Sequence, residues 1–111
     1  MKEIAGMKAQ VRFKKACGRF CSSLLSSVEY FRTGKDPHGL DSFLNSLDDL
    51  ELLLELDQFL ETPKLETGRI LPVVKKLREC MQNQDITGMT DLLEFELYPV
   101  AKELVEGEGK E

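Results

Sequence analysis

Residues 40–59 read LDSFLNSLDDLELLLELDQF, and this stretch decides the fold class. Its apolar residues recur at steps of three and four, which is the spacing of one face of an α-helix and not that of a strand. Leu52, Leu56 and Phe59 widen the apolar region beyond one face. A helix that is apolar on more than one side needs more than one neighbour, so we expect this helix at the centre of a bundle or against another chain. The main stripe consists of Leu40, Phe43, Leu44, Leu47, Leu50, Leu53 and Leu54.

Three other segments have the same helical period. Gly34 and Pro37 separate the first two helices, because glycine accepts the left-handed conformation after a helix and proline blocks its continuation. Pro99 lies inside the last segment and lacks the N–H that would bond the carbonyl of Phe95, so we expect a kink there. The expected helices cover residues 3–33, 37 or 40 to 61, 68–84 and 86–105.

The charge alternates in sign along the chain. The 111 residues include 15 Lys and Arg against 20 Asp and Glu, a net charge of -5. Residues 1–35 have a net charge of +6, residues 36–66 of -8, residues 67–85 of +2 and residues 86–111 of -5. Short connections make consecutive helices antiparallel neighbours, so the alternation brings opposite charges side by side, although solvated helix faces of chance composition give the same pattern.

The fold prediction is therefore an all-α protein, an antiparallel up-and-down bundle of three to four helices. We expect residues 1–106 to form a single helical-bundle domain and the polar, glycine-rich residues 107–111 to form a flexible tail. No apolar run approaches the ~20 residues of a membrane-spanning helix, and the first residues lack a secretion signal. The three cysteines are an odd number, which is unusual in secreted frameworks, so we expect a cytoplasmic protein. The acidic balance argues against nucleic acid as the main partner.

The residues of catalytic and metal chemistry are sparse. His38 is the single histidine and lies beside a proline and a glycine, which is typical of a turn residue. Cys17 and Cys21 lie one helical turn apart and, with Cys80 and His38, give four arithmetically available zinc ligands, but their spacing is not that of a zinc site. We therefore predict no catalytic residue, no metal and no cofactor.

Three carboxylates of the last helix attract more interest. Glu96 lies three residues after Leu93, on or beside the apolar stripe, and a buried carboxylate needs a partner or a raised pKa. Asp91 and Glu94 are the other candidate buried or functional carboxylates. A structural ion pair predicts that Glu96→Ala lowers the melting temperature more than Glu103→Ala. The available arginines of the first and third helices are Arg12, Arg19, Arg32, Arg69 and Arg78.

Residues 85–99, DITGMTDLLEFELYP, resemble a pattern of small uncharacterised bacterial helical proteins, in which D-L-L-E-[YF]-E-L-x-P closes the chain. Residues 30–34, YFRTG, are similar to the end of their first helix. This resemblance implies a cytosolic helical bundle without an established activity. At the level of size, acidity and helical hairpins the chain is also similar to flagellar export chaperones, which is a fold-level analogy.

The functional hypothesis is a non-enzymatic interaction protein, an adaptor or chaperone-like molecule that binds a partner helix through an apolar helix face. The candidate partner-binding residues are Leu52, Leu56 and Phe59, and a homodimer would use the same surface. One alternative is a Mg-dependent helical-bundle hydrolase with paired carboxylates such as Asp48 and Glu51 or those of the last helix. Another is that the basic first helix binds a membrane or nucleic acid.

Overall fold

The computed structural model describes the backbone of residues 2–60 and 62–109, and the side chains of residues 9–60 and 62–106. In this part of the chain the protein is all-α, which confirms the predicted fold class. Because α4, π1 and α5 follow one another without a break, we call residues 86–109 the C-terminal helix, so the described part contains four long helices. The elements are α1 (Lys2–Arg32), α2 (Asp36–Asp57), α3 (Thr67–Gln82), α4 (Ile86–Leu92), a π-helical turn π1 (Leu93–Leu97) and α5 (Tyr98–Gly109).

The helices run up and down in a bundle of 47 × 23 × 20 Å. α1 lies between α2 on one side and the C-terminal helix on the other, and α3 packs against the C-terminal helix. Arg32 at the end of α1 bonds Asp91 near the start of the C-terminal helix, with 3.1 Å between the nitrogen and the oxygen. Arg69 near the start of α3 bonds Glu103 in α5 at 2.8 Å. The C-terminal helix is therefore antiparallel to both α1 and α3.

The side chains that form the core recur along each helix with the helical period. Aromatic and aliphatic side chains from all four helices form one cluster, in which Phe13, Phe20, Leu53, Ile70 and Leu97 are fully buried. Each fully buried aliphatic or aromatic side chain contributes about 1.5–3 kcal/mol of transfer free energy. No helix among the described residues is long and apolar enough to cross a membrane.

Small residues hold α1 and α2 close together. A Cβ atom at Gly39 would lie 2.7 Å from the ring of Phe31, so only glycine fits there. The buried Ser27 hydroxyl donates a hydrogen bond to the carbonyl of Gly39 at 2.8 Å. Ser46 is also fully buried and bonds the carbonyl of Phe43 within its own helix at 2.6 Å. The distance between two packed helices depends on the side chains at their contact, and small side chains allow a close approach. α1 and α2 are therefore the most closely packed pair of helices in the bundle.

The turn between α1 and α2 has the predicted glycine geometry, and α2 ends earlier than predicted. Gly34 has a φ of 79°, the left-handed conformation expected after a helix. α2 ends at Asp57, four residues before the expected end at residue 61. The carboxylate of Asp57 accepts the backbone N–H groups of Lys64 at 2.7 Å and Leu65 at 3.3 Å. This side chain therefore ends the helix by fixing the returning loop against it.

Replacing Asp57 by alanine is expected to lower the free energy of unfolding by about 1–3 kcal/mol, because it leaves backbone donors of the loop without their acceptor. Asp57 is 9% exposed, so water replaces the lost carboxylate poorly. Asp41→Ala, an exposed site in the same helix, is the matched control and should change stability little. Urea denaturation measures both, and equal losses would show that the Asp57 contacts contribute nothing.

The interruption expected at Pro99 is a π-helical turn just before it. The N–H of Tyr98 bonds the carbonyl of Leu93, five residues back, instead of the residue four back. A proline in a helix lacks a donor and its ring crowds the carbonyl of the residue four positions earlier, here Phe95. A wider turn relieves this crowding, which accounts for the π turn at this place.

Candidate functional site

The three residues predicted to bind a partner do not form one surface. Leu56 is 5% exposed and belongs to the core, so the prediction that it contacts a partner is wrong. The physical reason is that α2 buries Leu56 together with Leu53, one turn earlier. Leu52 is half-buried, and Phe59 is 63% exposed but lies beyond the end of α2. A role of Leu52 or Phe59 in binding stays a prediction.

A different set of leucines stays accessible on α2. Leu40 is 38% exposed and Leu44 is 46% exposed, while Leu47 and Leu54 are half-buried. Leu40, Leu47 and Leu54 are spaced by seven residues, so they lie on one side of the helix, and Leu44 lies beside them. We call these four residues the leucine flank of α2.

The leucine flank points away from α1. Asp49 lies on the other side of the buried row of α2, and its carboxylate contacts α1 through Arg19 and Ser23, both at 3.5 Å. At about 100° per residue, Leu47 and Leu54 lie on the opposite side of that row from Asp49. The leucine flank is therefore on the side of α2 that α1 does not cover.

α3 has the same division into a covered and an uncovered side. Its covered side faces the C-terminal helix, because Arg69 bonds Glu103 there. On its other side Leu71 is 55% exposed, and Val74 and Met81 are half-buried. This other side is therefore not covered by the C-terminal helix.

We call the uncovered side of α2 and the uncovered side of α3 together the α2–α3 face. Among the described residues the backbones of α2 and α3 do not approach each other as those of α1 and α2 do. The face consists of the leucine flank of α2 together with Leu71, Val74 and Met81 of α3. Contiguous exposed apolar surface that is rimmed by polar residues marks interaction sites in soluble proteins.

The two edges of the α2–α3 face have opposite charge. Glu51 and Glu55 are exposed on α2 beside the leucine flank, and Lys75 and Arg78 are exposed on α3 beside Leu71. Within the described part of the chain these four charged side chains form no ion pair. We call Glu51 and Glu55 the acidic edge of the α2–α3 face, and Lys75 and Arg78 its basic edge.

The predicted ion pair between the last helix and α1 exists, but at different carboxylates. The Arg32 guanidinium bonds Glu94 at 2.9 Å and Asp91 at 3.1 Å, and these hydrogen bonds, that with Glu94 first, raise the pKa of Arg32. Glu96 is exposed, so the prediction that it is buried is wrong. The π turn adds about one residue to the helical turn and thereby rotates Glu96 off the core side.

We therefore expect the losses of melting temperature in the carboxylate variants to have the reverse order of that predicted from the sequence. Glu103→Ala and Glu94→Ala should each lower the melting temperature slightly, because each breaks an ion pair, whereas Glu96→Ala should leave it unchanged. Since the pairs are solvent-exposed, the losses should shrink at high salt. Thermal melts at two NaCl concentrations test this, and a larger loss for Glu96→Ala would contradict the assignment.

Metal and nucleophile chemistry finds little support in the arrangement. Among the described residues no group of three or more His, Cys, Asp or Glu side chains could hold a metal ion. The ring of His38 lies 5.4 Å from that of Tyr30.

The Cys80 thiol is a weak nucleophile. Its burial, which is the larger cause, and the charge of Asp85 raise the pKa of this thiol, so it stays protonated at neutral pH. Cys21 contacts Tyr98 across α1 and α5 and, together with burial, raises the pKa of that phenol.

A second surface feature is a shallow groove of about 850 Å³ between α1 and α2. Arg19 and Asp49, which line it, already bond each other. Its lining contains no large apolar side chain, so the groove offers a partner little desolvation energy. The lining residues are Lys15, Gly18, Arg19, Ser22, Ser23, Asn45, Asp48 and Asp49.

The described residues form a four-helix bundle in which α2 and α3 each keep exposed apolar side chains. The model of a family described as a domain of unknown function, DUF8042, matches residues 12–107, and the chain belongs to this family. The match spans the four helices of the bundle almost completely. No curated protein and no solved structure matches the chain.

Proposed function

We propose that this protein is a non-enzymatic interaction protein that binds an amphipathic helix of a protein partner on its α2–α3 face. The leucine flank of α2 is the single observation on which this proposal rests. α1 covers the opposite side of the same helix, whereas Leu40 and Leu44 are left 38% and 46% exposed. The odd number of cysteines supports a reducing compartment such as the cytoplasm for this function.

The spacing of the exposed residues supports a helix as the occupant. Helices that dock in apolar surfaces use anchors at steps of three, four and seven residues, and the leucine flank offers contacts with the same steps. Each Å² of apolar surface that docking removes from water contributes about 25 cal/mol. The charged edges would then select the partner and its orientation rather than supply most of the affinity.

The test is capture of the partner by tagged full-length protein in its own host cells. We expect Leu44→Glu and Leu71→Glu to lose the partner while circular dichroism and the melting temperature stay close to those of the wild type. Val11→Glu is the matched control, because Val11 is 57% exposed but lies on α1. If the partner is retained in both variants, or is lost equally from the control, the α2–α3 face is not the binding site.

A further inference from the structure

We infer that the solvent-facing side of α1 binds an anionic phospholipid surface. This side of α1 lies apart from the α2–α3 face, so binding to lipid is independent of the proposed function. Three features of α1 point to a lipid surface, namely its charge, the position of its outer side between two neighbouring helices, and the small and apolar side chains on that side.

α1 contains the longest stretch of the chain without an acidic residue. Residues 4–28 include five Lys and Arg and no Asp or Glu, although 20 of the 111 residues are acidic. The last four of these five basic residues occupy exposed positions. α1 is therefore positively charged in a protein whose net charge is -5. The five basic residues are Lys8, Arg12, Lys14, Lys15 and Arg19.

Contacts with two neighbouring helices define the outer side of α1. On one flank Cys21 contacts Tyr98 of α5. On the other flank the Ser23 hydroxyl donates a hydrogen bond to the carboxylate of Asp49 in α2 at 3.5 Å. Since successive helical residues are about 100° apart, Ser22 projects between these two flanks and away from the core. Ser22 is accordingly exposed.

The middle of this outer side is formed by small and apolar residues. Val11 is 57% exposed and Leu25 is 43% exposed, and they lie about 21 Å apart along the helix. Gly18 and Ser22 lie between them at steps of three, four and seven residues, and a Cβ atom at Gly18 would meet nothing within 4 Å. No bulky side chain therefore separates the two apolar ends. We call Val11, Gly18, Ser22 and Leu25 the outer row of α1.

The basic residues flank the outer row. Lys14 and Lys15 follow Val11 by three and four residues, so they lie on either side of it on the helix surface. Arg19 is turned toward α2, where it bonds Asp49 at 3.5 Å. Lys14 and Lys15 are therefore the exposed cations nearest the apolar end of the outer row.

An anionic lipid surface matches both the charge and the apolar residues. Each Lys or Arg close to such a surface strengthens binding about fivefold. Long lysine side chains keep their charge among the headgroups while a neighbouring apolar side chain reaches the acyl boundary, which suits Val11 between Lys14 and Lys15. A nucleic acid would use the lysines but not Val11 and Leu25, because phosphate contacts dominate its affinity.

Co-sedimentation of the full chain with lipid vesicles tests the inference. We expect binding to vesicles of phosphatidylcholine and phosphatidylserine, and no binding to vesicles of phosphatidylcholine alone. Lys14→Glu/Lys15→Glu should weaken the binding more than tenfold, because two attractions become repulsions. Lys75→Glu/Lys76→Glu is the matched control, since it makes the same change of net charge at exposed lysines of α3 and should keep the binding.

Val11→Ser separates the outer row from an attraction by charge alone. This variant keeps the net charge, and it should weaken the binding several-fold because less apolar surface leaves water. Circular dichroism shows that each variant is folded. A wild type that does not bind the phosphatidylserine vesicles overturns the inference, as do equal losses in the two double variants or unchanged binding of Val11→Ser. Binding of duplex DNA without binding of vesicles would make nucleic acid the partner and would also overturn it.

Discussion

Leu56→Glu is expected to unfold the protein at room temperature, whereas Leu44→Glu is expected to leave it folded. Leu56 is 5% exposed within the core, so the new carboxylate has no partner and no water. Burying an unpaired charge costs several kcal/mol, which is comparable to the whole stability of a small domain, about 5–15 kcal/mol. Leu44 is 46% exposed, and a surface substitution there should change stability by about 0.5 kcal/mol or less.

Far-ultraviolet circular dichroism and urea denaturation of the two variants decide between core and surface for each leucine. A folded Leu56→Glu protein with near wild-type stability would mean that α2 turns a different side toward α1. An unfolded Leu44→Glu protein would mean that the leucine flank is covered by the chain itself. Either result would remove the basis for the α2–α3 face.

Gly39→Ala is expected to lower the free energy of unfolding by about 1–3 kcal/mol, the usual cost of forcing an extra methyl group into a packed site. The new Cβ atom would lie 2.7 to 2.9 Å from three carbons of the Phe31 ring, so the ring or the α2 backbone must move. Moving the backbone would also disturb the hydrogen bond from Ser27 to the Gly39 carbonyl.

Gly18→Ala in α1 is the matched control, because a Cβ atom at Gly18 would meet nothing within 4 Å. The same substitution in open space should stabilise the helix by about 0.5–1 kcal/mol, since alanine loses less conformational entropy than glycine on folding. Urea denaturation of both variants should therefore give changes of opposite sign. Changes of the same sign would contradict the close approach of α1 and α2 at Gly39.

The helical period and the turn residues were enough to predict the all-α fold from the sequence. Gly34 ends the first helix as predicted, because the left-handed conformation there is a local property of glycine. The early end of α2 was not predictable, since Asp57 ends it through a contact with a loop seven and eight residues further along the chain. The π turn before Pro99 was anticipated only as a kink, because several distortions relieve the same crowding.

The sequence did not predict which leucines of α2 stay exposed. The excess of leucines in α2 indicates that a single neighbouring helix cannot cover all of them, but the helical period alone does not say which side α1 covers. Small residues on α2, Gly39 and Ser46, settle that choice through close packing. They turn Leu56 into the core and leave Leu44 outside. The position of Glu96 was predicted wrongly for a related reason, since an α-helical register does not hold through the π turn.

The central claim is that α2 and α3 border one surface that contacts one partner helix. Photoreactive phenylalanine analogues placed singly at positions 44 and 71 of the full chain test it most directly, with position 11 on α1 as the control. We expect positions 44 and 71 to crosslink to the same protein and position 11 not to crosslink to it. Crosslinks from positions 44 and 71 to different proteins, or from neither position, would contradict the claim.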